Sequence, residues 1–274
     1  MSTIIQMKPR VRFVLVSLLA AWLLPAAAAA AQHPEPQINQ PGKDVQWVPT
    51  PAALAEKMLD LARVTAADRV VDLGSGDGVL VIAAARRGAR SLGIEYDQGL
   101  VTLSKRRAEE AGVSGRARFV RGDIFESKFS DATVVTTFLL PSMNLRLRPI
   151  FLAMAPGTRI VANTFAIGDW EPDETATIEP CERWCKAMLW IVPGRVAGRW
   201  LTPKGDLELT QRFQFVSGTL GRDAVENGRV RGDELVFTAG GESYRGTIER
   251  TRIVLRADVD GRAMEWTARR APGQ

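Results

Sequence analysis

The segment Asp72-Leu73-Gly74-Ser75-Gly76-Asp77-Gly78 carries the strongest chemical signal in the chain. It follows the apolar residues Val70-Val71 and precedes a helical pattern, so it forms the turn between a strand and a helix. Glycines there let the backbone bend sharply and approach a ligand, while the helix N-terminus offers unpaired N–H groups. The spacing is G-x-G-x-G and omits the third glycine of a G-x-G-x-x-G dinucleotide site, which disfavours a nicotinamide-dependent oxidoreductase. Glu95 follows Asp72 by 23 positions, at the end of the next strand, where two carboxylate oxygens match the two hydroxyls of a ribose. The chain has one histidine, His33, in a Pro-rich stretch. That excludes a Ser-His-Asp triad, an H-E-x-x-H zinc site and most two-His metal sites.

The elements that must position these residues alternate strand and helix. Thr50-Pro51 opens a first helix, with Thr50 expected as N-cap and Pro51 at the first helical position. Strands are expected at residues 69–73, 91–95, 117–120, 133–139 and 158–165, and helices at 79–87, 97–111 and 144–153. This order implies a parallel sheet with helices on both faces. Beyond Pro193 the period changes to two, as in Leu207, Leu209, Gln211, Phe213 and Phe215, read as one alternating run. Gly240-Gly241 and Asp260-Gly261 mark hairpin turns. The expected division is residues 1–31 as an address, 32–46 as a linker, 47–192 as an α/β domain and 193–274 as an antiparallel β module.

The address is a secretory signal peptide. Lys8, Arg10 and Arg12 precede an uncharged run from Phe13 to Ala31 that ends in an alanine tract, with cleavage expected near Ala30 or Ala31. The alternative is an uncleaved membrane anchor, since the run approaches the roughly 20 residues that a spanning helix needs. Either way the body of the chain lies outside the cytoplasm, periplasmic or secreted. The formal net charge of +5 shrinks accordingly: the remainder holds 33 basic against 31 acidic residues, which argues against a nucleic-acid-binding core. Arg86-Arg87 and Lys105-Arg106-Arg107 read as solvated helix ends. Cys181 and Cys185 are four apart. On a straight strand they would lie about 13 Å apart and unbridgeable, on a helical turn within disulfide range, and both a disulfide and two thiols stay open.

With Gly93-Ile94-Glu95-Tyr96-Asp97 and Gly122-Asp123-Ile124-Phe125, the glycine loop resembles the ordered motif set of the class I S-adenosylmethionine-dependent methyltransferases, whose Rossmann-like sheet is the expected fold. The resemblance implies that Gly74, Gly76 and Gly78 pack under the methionine moiety, with Ser75 in the same loop, and that Asp72 positions the methionine amino group. It places Glu95, beside Tyr96, on the ribose, and Asp123 with Ile124 at the adenine. Val48-Pro49-Thr50-Pro51, Leu139-Leu140-Pro141-Ser142-Met143 and Asp169-Trp170-Glu171-Pro172 are similar to the ATP synthase c subunit lysine N-methyltransferases and their bacterial relatives. That likeness implies Thr50 and Pro51 over the cofactor, Leu140 and Pro141 at the methyl-transfer site, and a protein lysine as methyl acceptor. Asn144 and Glu171 stand by position as proton acceptors. The chain lacks the Asn-Pro-Pro-Tyr type of motif found in amide and base N-methyltransferases. No metal is required for methyl transfer. The competing reading is an exported, non-enzymatic binding protein that keeps a Rossmann-like core and works through its β module. Of Trp170, Trp184, Trp190 and Trp200, most are expected in the core, and a substrate-binding aromatic wall is the lesser alternative.

Overall fold

The computed structural model describes residues 1–3, 35–259 and 262–272. The signal-peptide run, its cleavage site, His33 and the Asp260-Gly261 turn lie outside the described residues. The α/β part follows the expected alternation: α1 (Ala52–Leu61), β1 (Arg69–Leu73), α2 (Val79–Arg86), β2 (Arg90–Glu95), α3 (Gln98–Glu110), β3 (Ala117–Arg121), β4 (Val134–Thr137), α4 (Pro141–Leu152) and β5 (Arg159–Asn163). Among the described residues seven strands form one sheet in the order β3-β2-β1-β4-β5-β7-β6, where β6 is Glu174–Thr177 and β7 is Lys186–Ile191. The first five are parallel, but β7 pairs antiparallel with β5 and β6 antiparallel with β7. The sheet is therefore mixed, a departure from the parallel sheet expected. The period-two alternation of the strands sorts their side chains. Val70, Val134 and Val161 pack with α1 and α2 on one face, and Val71, Val135 and Ile160 pack with Leu147 and Phe151 of α4 on the other.

Three local expectations shift. Pro51, not Thr50, occupies the N-cap of α1, and no side chain caps that helix, because Thr50 faces Asn163 instead. Helix α4 begins at Pro141, three residues early, with the proline at its first position. The run from Leu207 to Phe215 is a hairpin: β9 (Leu207–Arg212) ends where Phe213 takes φ 55°, and β10 (Phe215–Leu220) returns along it.

The β module is an eight-stranded closed barrel among the described residues, made of β8 (Gly198–Leu201), β9, β10, β11 (Asp223–Arg231), β12 (Glu234–Ala239), β13 (Glu242–Ile248), β14 (Arg252–Val259) and β15 (Arg262–Arg270). Closure leaves its strands without an exposed edge. Gly240-Gly241 makes the β12–β13 turn with φ 58° and 81°, the left-handed pair that a two-residue hairpin requires. Trp200, Leu207, Val230, Leu235, Ile253 and Leu255 fill the interior.

The barrel docks on the segment after β5. Phe213 stacks on Trp170 with ring centroids 6.0 Å apart, and Gln214 Nε2 donates to the Glu171 carbonyl at 2.8 Å. Arg212 pairs with Asp169 at 2.7 Å and Arg229 with Asp173 at 2.7 Å, while Arg231 meets Glu174. The guanidinium of Arg212, and then that of Arg148, holds the Asp169 carboxyl down at about 2. Cys181 and Cys185 form a disulfide with Cα atoms 5.8 Å apart, in the irregular turn between β6 and β7.

Candidate active site

The C-terminal ends of β1, β2 and β4 converge on one cavity of about 390 Å³, within the ordinary range for small-molecule sites. Open parallel sheets bind ligands at this end, where strand order reverses about the first strand. The glycine loop forms its floor. Gly74, Gly76 and Gly78 all have positive φ. A Cβ at Gly76 would lie 2.6 Å from Trp47 Nε1, and one at Gly78 would lie 2.8 Å from the Phe119 ring. Neither position has room for a side chain, and neither has a backbone that favours one. Ser104 Oγ donates to the Gly76 carbonyl at 2.8 Å and fixes the loop to α3.

Three carboxyl groups stand at this floor, from β1, from the end of β2 and from the connection after β3. Glu95 Oε2 accepts from Gly76 N and Oε1 from Asp97 N, each at 2.9 Å, so each oxygen keeps acceptor capacity for a hydroxyl. Asp72 is buried and accepts from Thr136 Oγ1 at 2.6 Å. Burial raises its carboxyl to about 7, against the Thr136 hydrogen bond, and the charges of Glu95 and Asp77 push the same way. Asp123 Oδ1 accepts from Phe125 N at 2.9 Å, and Oδ2 meets Lys43. The Lys43 ammonium, with the Phe125 N–H, holds the Asp123 carboxyl below its ordinary range.

Residues 40–46, within the 32–46 segment expected as a linker, supply one wall of the cavity. Asn39 N donates to the Trp47 carbonyl at 2.8 Å and Trp47 N to the Gln40 carbonyl at 3.1 Å, closing a loop whose Lys43 reaches Asp123 and whose Trp47 covers Gly76. Glu35 pairs with Arg106 at 2.6 Å. This strap is the functional element that sequence reasoning missed. Its signal was Trp47 itself, a large aromatic residue in an otherwise polar, Pro-rich stretch.

Thr50, Asp72, Gly74, Ser75, Gly76, Glu95, Tyr96, Asp123 and Ile124 all line the cavity, as do Leu139 and Met143. Gly78 lies behind the loop against Phe119 and Ser104, and Pro51 sits outside the wall at the start of α1. Leu140 and Pro141 also fall just outside it, and Leu140 is 38% exposed. At this point Phe138 and Leu139 are the lining residues. Asn144 is buried and its Nδ2 donates to the Phe165 carbonyl at 3.1 Å. Glu171 is exposed and its carbonyl belongs to the barrel contact. Arg87 and Arg107 engage Glu56, Asp60 and Asp77. Among the described residues no group of three or more His, Cys, Asp or Glu is placed to hold a metal ion.

The ANTKMT methyltransferase domain family matches residues 72–174, from the first carboxylate of the site to the start of β6. A protein-lysine N-methyltransferase of Saccharolobus islandicus is 40% identical over 138 residues, covering 49% of this chain and 86% of that protein. The chain belongs to this S-adenosylmethionine-dependent methyltransferase family. The lysine N-methyltransferase of the mouse ATP synthase c subunit is similar at 32% identity over 60% of the chain and 65% of its own length. A solved structure from Salinibacter ruber, described as an RNA methyltransferase in complex with S-adenosyl-L-homocysteine, is 46% identical with a TM-score of 0.51. It covers 54% of this methyltransferase and 96% of its own chain.

The residues of the methyltransferase fit its cofactor, S-adenosylmethionine. Asp72 is a buried carboxylic group at the cavity whose hydrogen-bond partner is the Thr136 hydroxyl, and Glu95 retains acceptor sites beside its two backbone N–H partners. A ligand with a cationic amine, two vicinal hydroxyls and an aromatic base meets the chemistry of this donor set.

Proposed function

We propose that this methyltransferase transfers a methyl group to the side-chain amine of a protein lysine. The observation that carries the reading is the 40% identity to a protein-lysine N-methyltransferase, 86% of which the chain covers. S-Adenosylmethionine, when bound, supplies a methyl carbon already activated by its sulfonium. The chain then has to bind, orient and exclude water. Glu95 holds the ribose hydroxyls, Asp123 and Ile124 border the adenine, and Asp72 faces the methionine amine. Leu139 and Met143 give the acceptor side an apolar wall, where a lysine ammonium loses its proton more readily because burial disfavours its charge.

The Salinibacter protein's description as an RNA methyltransferase makes RNA the competing acceptor. Of the two basic residues that line the cavity, Lys43 pairs with Asp123, and Arg121 donates from Nε to the Tyr96 carbonyl at 3.2 Å and lies over the Tyr96 ring. One guanidinium is thus the cavity's share of positive charge not already paired with a carboxylate, less than the several cations a phosphate backbone engages. Incubation with labelled S-adenosylmethionine and separate protein and RNA fractions of a deletion strain tests the reading. Label in a protein band that hydrolyses to methyl-lysine is expected, and label confined to RNA overturns it.

We further propose that the chain is exported by its first 31 residues. Lys8, Arg10 and Arg12 followed by an uncharged run support this, as does the Cys181–Cys185 disulfide, a linkage typical of oxidising compartments. N-terminal sequencing of the protein from fractionated cells should begin after Ala30 or Ala31. An intact N-terminus in the cytosolic fraction overturns export.

A further inference from the structure

Phe138, Phe165 and Trp184 come from three separate segments of the chain. Phe138 follows β4, Phe165 follows β5, and Trp184 precedes β7, whose antiparallel course brings its first residues beside the end of β5, with Ala187 opposite Asn163. All three therefore stand at the sheet end that holds the cofactor cavity. Their ring centroids are 5.5 Å apart for Phe138–Trp184 and Phe165–Trp184 and 6.2 Å for Phe138–Phe165. Phe138 lines the cavity next to Leu139, and the other two rings extend its aromatic surface beyond the cavity wall. Trp170, Trp190 and Trp200 are fully buried, whereas the three rings of this cluster are only half-buried.

The backbone around the cluster is held in uncommon conformations. Trp184 has φ 59° and Thr164, preceding Phe165, has φ 62°. The left-handed region is costly for an aromatic and for a β-branched residue, and such strain collects at functional sites. Covalent and polar ties maintain it. The Cys181–Cys185 disulfide closes the short loop that carries Trp184. Thr164 N donates to the Lys186 carbonyl at 2.7 Å, and Asn144 Nδ2 from α4 donates to the Phe165 carbonyl at 3.1 Å. A purely space-filling cluster would not need strained backbone and a disulfide to keep its rings partly in solvent.

We propose that Phe138, Phe165 and Trp184 form an ammonium-binding wall on the acceptor side of the methyl-transfer site, with Cys181–Cys185 positioning Trp184. The ligand class is an alkylammonium side chain, attracted by the negative faces of the rings while its methylenes lie on the same apolar surface. The rings are in mutual contact, so the cation lies against their exposed surface and not between them. This assignment rests on the amine-acceptor reading above.

The test uses the full chain saturated with S-adenosylhomocysteine and titrated calorimetrically with Nα-acetyl-Nε-trimethyl-lysine amide. The control ligand is its uncharged isostere, with carbon in place of the quaternary nitrogen. The cation is expected to bind about tenfold more tightly than the isostere, the scale of a partly desolvated cation–π contact. Trp184→Ala should weaken the cation about tenfold, Trp184→Phe should restore most of that loss, and the Cys181→Ser/Cys185→Ser double variant should reproduce it. S-Adenosylhomocysteine affinity, measured in the same samples, should stay unchanged throughout. Equal affinity for cation and isostere, undetectable binding of the cation, or a Trp184→Ala variant that binds the cation as the unaltered chain does overturns the wall alone. Failure of the unaltered chain to bind S-adenosylhomocysteine overturns the methyltransferase site itself.

Discussion

Each oxygen of Glu95 holds one backbone N–H, of Gly76 and of Asp97, so this carboxylate shapes the glycine loop as well as carrying its proposed role on the ribose. Glu95→Ala removes both roles. Hydrogen bonds to a charged group are worth roughly 1.5–3 kcal/mol each, and S-adenosylhomocysteine affinity measured by calorimetry should fall at least about tenfold. Asp72 sets a pH dependence. Its folded-state carboxyl is raised to about 7, against about 4 in an unfolded chain. Between those values the folded chain keeps a proton that the unfolded chain has released. The stability this group contributes is thus fully present below pH 4 and lost as pH rises through about 7. Asp72→Asn, which mimics the protonated form, should unfold at higher urea concentration than the unaltered apoprotein at pH 8, with a smaller difference at pH 5. A difference independent of pH would contradict the buried, raised carboxyl.

At the scale of elements, the glycine loop and the five parallel strands were legible because each has a local cause. Val70, Val71 and Asp72 must be strand, and Gly74, Gly76 and Gly78 cannot be anything but a tight turn. Strands β6 and β7 were not legible. Glu174–Thr177 is half-exposed, and Lys186–Ile191 reads as an apolar run that helix and strand share equally; only pairing with β5 decides it. The β9–β10 hairpin was hidden for a different reason. Phe213 continues the apolar alternation, yet it leaves the ladder at φ 55° to stack on Trp170 of the other half. Tertiary contact overrides periodicity there. Phe213→Ala should therefore cost about 2 kcal/mol, below the roughly 3–5 kcal/mol of truncating a fully buried aromatic because the ring is only partly buried. Chemical denaturation reads the change, and an unchanged midpoint would mean that the stack contributes nothing.

On the scale of the whole molecule, the barrel and the α/β half are joined by charge as well as by aromatic packing. Asp173 has a side chain only 2% exposed, and it binds both Arg229 and the backbone N–H of Ile191. Arg229→Ala leaves that carboxylate buried without its cation, with the Ile191 N–H as its remaining partner. Breaking a fully buried pair costs roughly 3–5 kcal/mol, and the 40% exposure of Arg229 reduces the expectation to about 2 kcal/mol. Circular dichroism and barrel tryptophan fluorescence should shift together to lower denaturant, since the two halves share this contact. Separate transitions for the two signals would show that the halves unfold independently.

The strap adds a constraint on time. Because Trp47 covers Gly76 and Lys43 engages Asp123, residues 40–47 wall the cavity, and their opening is expected to govern how fast a nucleoside enters and leaves. The latches at Lys43 and at Glu35–Arg106 are solvent-exposed ion pairs, the kind that salt screens most effectively. Exchange of S-adenosylhomocysteine, followed by stopped-flow displacement, should speed up with ionic strength on both the entry and the exit limb. Under the export proposed above, which would separate the chain from the cytosolic source of its cofactor, slow exit would amount to retention: a molecule once captured would be more readily used than lost.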